Sequence, residues 1–195
     1  MHEPISAARL SELVGLIYDC AIEPARWPIA MEAIRAELDF HNATLDLIRL
    51  PSGAALSNVV CNVPPQYLEL MAGAGPDVVD QWGGPEVMLA LPLDRPAVLT
   101  RVNPDFDHET TTNPYYTAFA RPQGIIDALA IGLARDARAI GSLSFGRHES
   151  AGPIGDREVE IAHLLVPHLQ RAATINRMLE VLPSRNKVSS RRWTR

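Results

Sequence analysis

Leu10, Leu13, Val14, Leu16 and Ile17 recur at three- and four-residue intervals. That spacing predicts an amphipathic helix over Ser6–Cys20. Pro24 and Pro28 then frame a loop holding Trp27. A second helix is predicted over Pro28–Leu38, with its proline in the first turn, where the missing N–H costs nothing. The period then changes. Thr44–Leu50 and Leu56–Cys61 read as strands joined by a turn at Pro51-Ser52-Gly53. Pro64–Ala72 returns to a helical pattern, and Gly73–Gly75 ends it. Asp77–Pro92 favours no single element, because Trp82-Gly83-Gly84-Pro85 is a cluster of breakers. A short third strand is predicted over Ala97–Val102, followed by a polar loop over Asn103–Thr112.

The last third is the most patterned. It reads as a short helix (Asn113–Ala120), a breaker (Arg121–Gly124), a hairpin and a long helix. The hairpin pairs Ile126–Ala134 with Arg138–Gly146 around a turn at Arg135-Asp136-Ala137. Side chains alternate between the faces of a sheet. With Ala134 opposite Arg138, one face carries Leu129, Ile131, Leu133, Leu143 and Phe145, which is a core face. The other carries Ala128, Ala130, Gly132, Ala134, Ile140, Ser142 and Ser144. Small residues there leave room for a ligand, with Ser142 and Ser144 in the pocket wall, or for a helix packed directly on the sheet. A one-residue slip would exchange the faces.

The long helix is predicted to start near Asp156, as its N-cap, and to kink at Pro167, which removes one backbone hydrogen bond. His168 is expected to donate to a carbonyl freed by that proline. Beyond it, Ala172, Ile175, Leu179 and Leu182 are spaced three, four and three, a short coiled-coil-like seam and the expected dimer interface. The order of elements predicts an α+β domain over residues 1–182. Its core is a five-stranded antiparallel sheet flanked by N-terminal helices and a long C-terminal helix. Residues 183–195 are expected to be a basic, disordered tail.

With 195 residues, 47% of them hydrophobic and 21% charged, the chain suits one soluble domain with a proper core. No apolar run is long enough to cross a bilayer, and Met1-His2-Glu3-Pro4 lacks the features of a signal peptide. The expected location is the cytoplasm. Cys20 and Cys61, without C-x-x-C spacing, are expected to be buried thiols. The net charge of −5 is unevenly placed: the last thirteen residues hold Arg185, Lys187, Arg191, Arg192 and Arg195 and no acid, so Met1–Leu182 carries −10. Such a body repels nucleic acid.

Candidate chemistry is sparse. Gly141-Ser142-Leu143-Ser144-Phe145-Gly146 lacks the G-x-S-x-G spacing of a nucleophile elbow and lies within a predicted strand. Asp105, Asp107 and Glu109 alternate as in a calcium loop, but the sixth position is Thr110 and the twelfth Tyr116. Glu160 and His163 form a lone E-x-x-H, where a di-iron bundle needs two. With no phosphate loop or zinc spacing, no enzyme activity, cofactor or metal is assigned. The aromatic residues Trp27, Tyr67, Trp82, Tyr115, Tyr116 and Phe119 suit a core or the walls of a ligand cavity. The candidate ligand contacts are Trp82, Tyr115, Tyr116, Ser142 and Ser144.

Three pieces, Leu13–Asp19 with Pro24–Pro28, Tyr115–Gly124, and Leu165–Ala172, occur in an order and spacing that resembles the N-terminal sensory region of LuxR-type helix-turn-helix transcriptional regulators. The resemblance covers Leu10–Leu182. It implies a PAS/GAF-like regulatory domain, bacterial and cytoplasmic, whose last helix leads into a DNA-binding domain. The tail Arg185–Arg195 has no room for a helix-turn-helix, so DNA is expected to be reached only through a domain absent from this chain. The resulting expectation is a homodimeric sensor for a small molecule or partner, not bound to a membrane. The alternatives are a ligand-free dimerisation module and, less favoured, a small enzyme.

Overall fold

The computed structural model describes residues 4–49, 55–136 and 139–186, without the side chains at 55–57, 72 and 177–186. The first helix, α1 (Ala7–Ile22), is capped by Ser6, whose hydroxyl accepts from the Arg9 amide at 3.2 Å. A 3₁₀ turn at Pro24–Arg26 leads into α2 (Trp27–Glu37). Two strands follow, β1 (Asn42–Arg49) and β2 (Ala55–Cys61). Three short helices come next: α3 (Leu68–Gly73), α4 (Gly75–Gln81) and α5 (Pro85–Ala90). Then come β3 (Ala97–Val98), α6 (Leu99–Val102), β4 (Ile125–Arg135), β5 (Ala139–His148) and α7 (Asp156–Asn186). No helix among the described residues is long and apolar enough to cross a membrane.

The strands form one antiparallel sheet in the order β2-β1-β5-β4-β3. Its core face carries Ala43, Leu129, Ile131, Leu143 and Phe145, all essentially buried. On this face lie α1, α2 and α7. The stripe Ile161, Ala162, Leu165, Val166, Leu169 and Ala172 recurs at helical spacing and is buried in the same core. The buried Arg147 guanidinium is satisfied by four carbonyls, those of Leu38, Asp39, Ala151 and Gly152. Asn176 ties the helices together: its amide donates to the carbonyls of Cys20 and Ala21 in the last turn of α1 and accepts from the Trp27 indole at 3.0 Å.

Several expectations are corrected. The third strand ends after Val98, because Asp127 accepts from both the amide and the hydroxyl of Thr100 and so draws the chain into the turn of α6. The helix expected over Pro64–Ala72 starts as a 3₁₀ turn at Pro65–Tyr67 and becomes α3 only at Leu68. Asp77–Pro92 resolves into α4 and α5, separated by Gly83 and Gly84 at φ 95° and 96°, a region that favours glycine. In the hairpin, Ala130 pairs with Ser144, two residues from the expected register. An even displacement keeps every side chain on its expected face. A bulge between Gly132 and Ala134 then adds one residue, so Ala134 turns outward and Arg135 takes its place on the small-residue face.

The helix α7 runs on through Pro167 without a break, although the proline has no N–H to donate. His168 does not serve a freed carbonyl: its Nδ1 lies 3.2 Å from the Tyr18 hydroxyl on α1, with the rings edge to face. Cys20 is buried, but Cys61 is only half-buried and donates to Glu32 at 3.0 Å. Of the expected seam, Ala172 belongs to the internal core and Ile175 is 37% exposed. The side chains of Leu179 and Leu182 lie outside the described residues. The helix runs four residues beyond Leu182, and the rest of the expected tail, from residue 187, also lies outside.

Candidate functional site

The sheet's second face is covered by α3–α6 and the turn Tyr116–Ala120, yet the cover does not close on it. Two small apolar clusters form there. One holds Tyr116, Phe119, Ala120 and Ile125; the other holds Trp82, Ala97 and Leu99. Between them lies a cavity of about 470 Å³. It exists because the sheet beneath it is built from small side chains. One row runs across four strands as Asn58, Asp46, Ser142 and Gly132, and the next as Val60, Thr44, Ser144 and Ala130; all eight residues line the cavity.

The five residues nominated from the sequence, Trp82, Tyr115, Tyr116, Ser142 and Ser144, line this one cavity. Trp82, the C-cap of α4, is almost fully buried. Tyr115 stacks on Phe119 at 5.0 Å. Tyr116 is buried, and its hydroxyl donates to the Ile125 carbonyl at 2.8 Å, which holds the ring in place and engages the phenol. Of the other aromatic residues, Phe119 lines the cavity and Tyr67 packs edge-on against it. Trp27 belongs to the opposite core.

The polar part of the lining was largely missed from the sequence. Asp46 accepts from the Thr44 hydroxyl at 2.7 Å and from the Asn58 amide. Burial raises its carboxyl above the usual range, against the pull of those two donors. Asp127 is also raised by burial, and it accepts three hydrogen bonds, from the Ala128 amide at 2.8 Å and from the amide and hydroxyl of Thr100 at 3.2 and 2.9 Å. Asn42 is 4% exposed; its Oδ1 accepts from the Gly146 amide, which fixes the side chain's orientation, and its Nδ2 has no partner. Gln81 is 7% exposed, and its Oε1 also has no partner. The cavity's cation, Arg135, donates to the Leu91 carbonyl at 3.1 Å. Burial and the nearby Asp46 charge both raise the Tyr115 phenol.

The other motifs stay outside this site. Asp107 uses both carboxylate oxygens within its own loop, accepting from the Glu109 amide and the Thr110 hydroxyl. Glu160 and His163 are exposed on α7. Ser142 and Ser144 lie within β5 rather than at a strand-to-helix elbow.

A single sheet with a covered cavity on one face and terminal helices on the other defines the class: this is a GAF-like α+β fold. Among solved structures it is similar to a GAF domain/HD domain protein from Geobacter sulfurreducens, at a TM-score of 0.52 and 15% identity over 88% of this chain and 98% of that one. It is more similar to ligand-binding domains of LuxR-type regulators. The ligand-binding domain of VqsR from Pseudomonas aeruginosa aligns at a TM-score of 0.64 and 18% identity, covering 89% of this chain and 98% of that one. CepR2 from Burkholderia cenocepacia, an N-acylhomoserine lactone-dependent LuxR family factor, aligns at 0.59 and 18% identity over 90% and 99%. No protein-family model matches the chain, and no curated protein matches its sequence.

Proposed function

We propose that this chain is a regulatory sensor domain of the LuxR type, cytoplasmic and homodimeric, that binds a small molecule in the sheet-side cavity and signals through α7. The observation that carries the reading is the cavity itself: largely apolar walls with a few polar groups, two of them buried and without partners, in the manner of small-molecule sites. The likeness of fold to LuxR-type ligand-binding domains supports the reading. In it, DNA recognition belongs to a helix-turn-helix domain outside this chain. No residue is assigned a catalytic role.

A thermal-shift screen against a metabolite library tests this. A saturating ligand is expected to stabilise the protein by several kcal/mol, a magnitude of roughly 3–4 at hundreds of times Kd. Ala130→Leu, which thickens the cavity floor on the face opposite the core, should abolish that shift while leaving the far-ultraviolet circular dichroism unchanged. Shifts of equal size in the variant would place binding elsewhere and sink the reading.

A further inference from the structure

Asp46 lies on the cavity floor, and among the described residues its carboxylate has no ion-pair partner. Burial raises its carboxyl, and among the described residues the side chains that hydrogen-bond to it are the neutral Thr44 and Asn58. A carboxylate has room for about four hydrogen bonds, and here Oδ1 takes one from Asn58 and Oδ2 one from Thr44. Capacity therefore remains on the wall of an apolar cavity, where an unpaired charge is costly. The titratable groups lining the cavity are Asp46, Asp127, Tyr115, Tyr116 and Arg135. Asp127 already has three donors, Tyr116 is bonded to Ile125, and Arg135 is directed to Leu91.

We propose that the cavity takes a protonated amine: a small, mostly apolar molecule whose ammonium head lies against Asp46 and whose body packs against Trp82, Met88 and Phe119. This rests on the sensor reading above and names the chemistry of the same site. Three further observations support it. The Gln81 Oε1, which lines the same cavity, is a buried acceptor without a partner. An ammonium brings three donors and the charge Asp46 lacks, and such charge-assisted bonds are about twice as strong as neutral ones. Tyr115 and Phe119, stacked on each other, line the same cavity as the carboxylate and offer aromatic faces to a cation. A carboxylate or phosphate head would instead meet two acids. The unpartnered Asn42 Nδ2 lies four residues along the same strand face and suits an acceptor elsewhere on the ligand.

The test is calorimetric titration with probes that share one ring system: tryptamine, indole-3-propanamide and indole-3-propanoate, with N-hexanoyl-homoserine lactone as a neutral competitor of different shape. Tryptamine should bind about tenfold or more tightly than the other three, the difference expected for one charge-assisted contact. The preference should vanish in Asp46→Asn. In the wild type it should weaken at acidic pH as Asp46 takes up a proton, a readout that needs no variant to fold. If the amide or the lactone binds as tightly as the amine, the ammonium proposal falls and the cavity remains a small-molecule site. If no probe binds at millimolar concentration, the ammonium proposal falls, while the sensor reading stands or falls by the library screen and the Ala130→Leu variant.

Discussion

The side-chain amide of Gln170, on α7, donates to the carbonyl of Gly132 at 2.8 Å, and it also reaches the carbonyl of Leu93. Gly132 is part of the cavity floor and Leu93 part of its rim. One residue of the terminal helix therefore holds two cavity elements through hydrogen bonds. Gln170→Ala should destabilise the fold by about 1–3 kcal/mol, the cost of leaving buried carbonyls unpaired. It should also uncouple the helix from the cavity. The checks are urea denaturation and amide exchange in α7 with and without a bound ligand. A variant in which ligand still protects α7 as in the wild type would exclude this route.

Gly132 allows Leu93 to lie directly on the sheet. A Cβ at that position would fall 2.5 Å from the Leu93 Cδ2. The obstruction is the end of a side chain, so Gly132→Ala should fold and push Leu93 aside. The expected cost is about 1–3 kcal/mol of overpacking, together with weaker ligand binding. Denaturant melts and a ligand titration measure both, and unchanged affinity would show that Leu93 does not shape the site.

Asn176 satisfies two carbonyls at the end of α1 and the Trp27 indole. Asn176→Ala should cost about 1–3 kcal/mol and loosen the junction of α1, α2 and α7. Chemical denaturation gives the first quantity. A change in Trp27 emission, read in a background with the other two tryptophans replaced by phenylalanine, reports the second.

Asp46 predicts an unusual pH dependence. Its folded carboxyl is raised by burial, so between the unfolded and folded values the folded state binds more protons than the unfolded state. Its contribution to stability is present at low pH and is lost as pH rises through that window. Asp46→Asn should accordingly stabilise the ligand-free protein at neutral pH, with the gain shrinking as the medium is acidified. Glu32 behaves in the opposite sense: Arg35 and Cys61 lower it to about 2, so its contribution is lost as pH falls from 4.5 toward that value. Urea midpoints for Asp46→Asn and Glu32→Gln beside the wild type, across acidic and neutral pH, check the two signs.

Self-association is expected to use Ile175 and the exposed end of α1. Ile22 is 80% exposed and Ile175 37%, and Asn176, next in the chain after Ile175, bonds the carbonyl next to Ile22. Burying an isoleucine contributes about 1.5–3 kcal/mol. Ile22→Glu with Ile175→Glu should give a folded monomer where the wild type sediments as a dimer. A wild-type monomer at high concentration would end this proposal.

The alternation of Leu129, Ile131, Leu143 and Phe145 with small residues is decisive from the sequence alone, because side chains on a strand alternate whatever the partner. The two faces of the hairpin survived a two-residue error in register for that reason. The helical period likewise made α1 and α7 legible as helices. What covers the small-residue face was not legible. Asn42, Thr44 and Asp46 alternate along β1 with Ala43, Leu45 and Leu47, a pattern that by itself reads as a polar face turned to water. Only the tertiary structure brings α3–α5 over it and turns three ordinary polar residues into the floor of a cavity. Those helices are six or seven residues long and are divided by Gly73, Gly83 and Gly84. Helices of that length are marginal on their own, and packing against the sheet, which no local period records, decides where they lie.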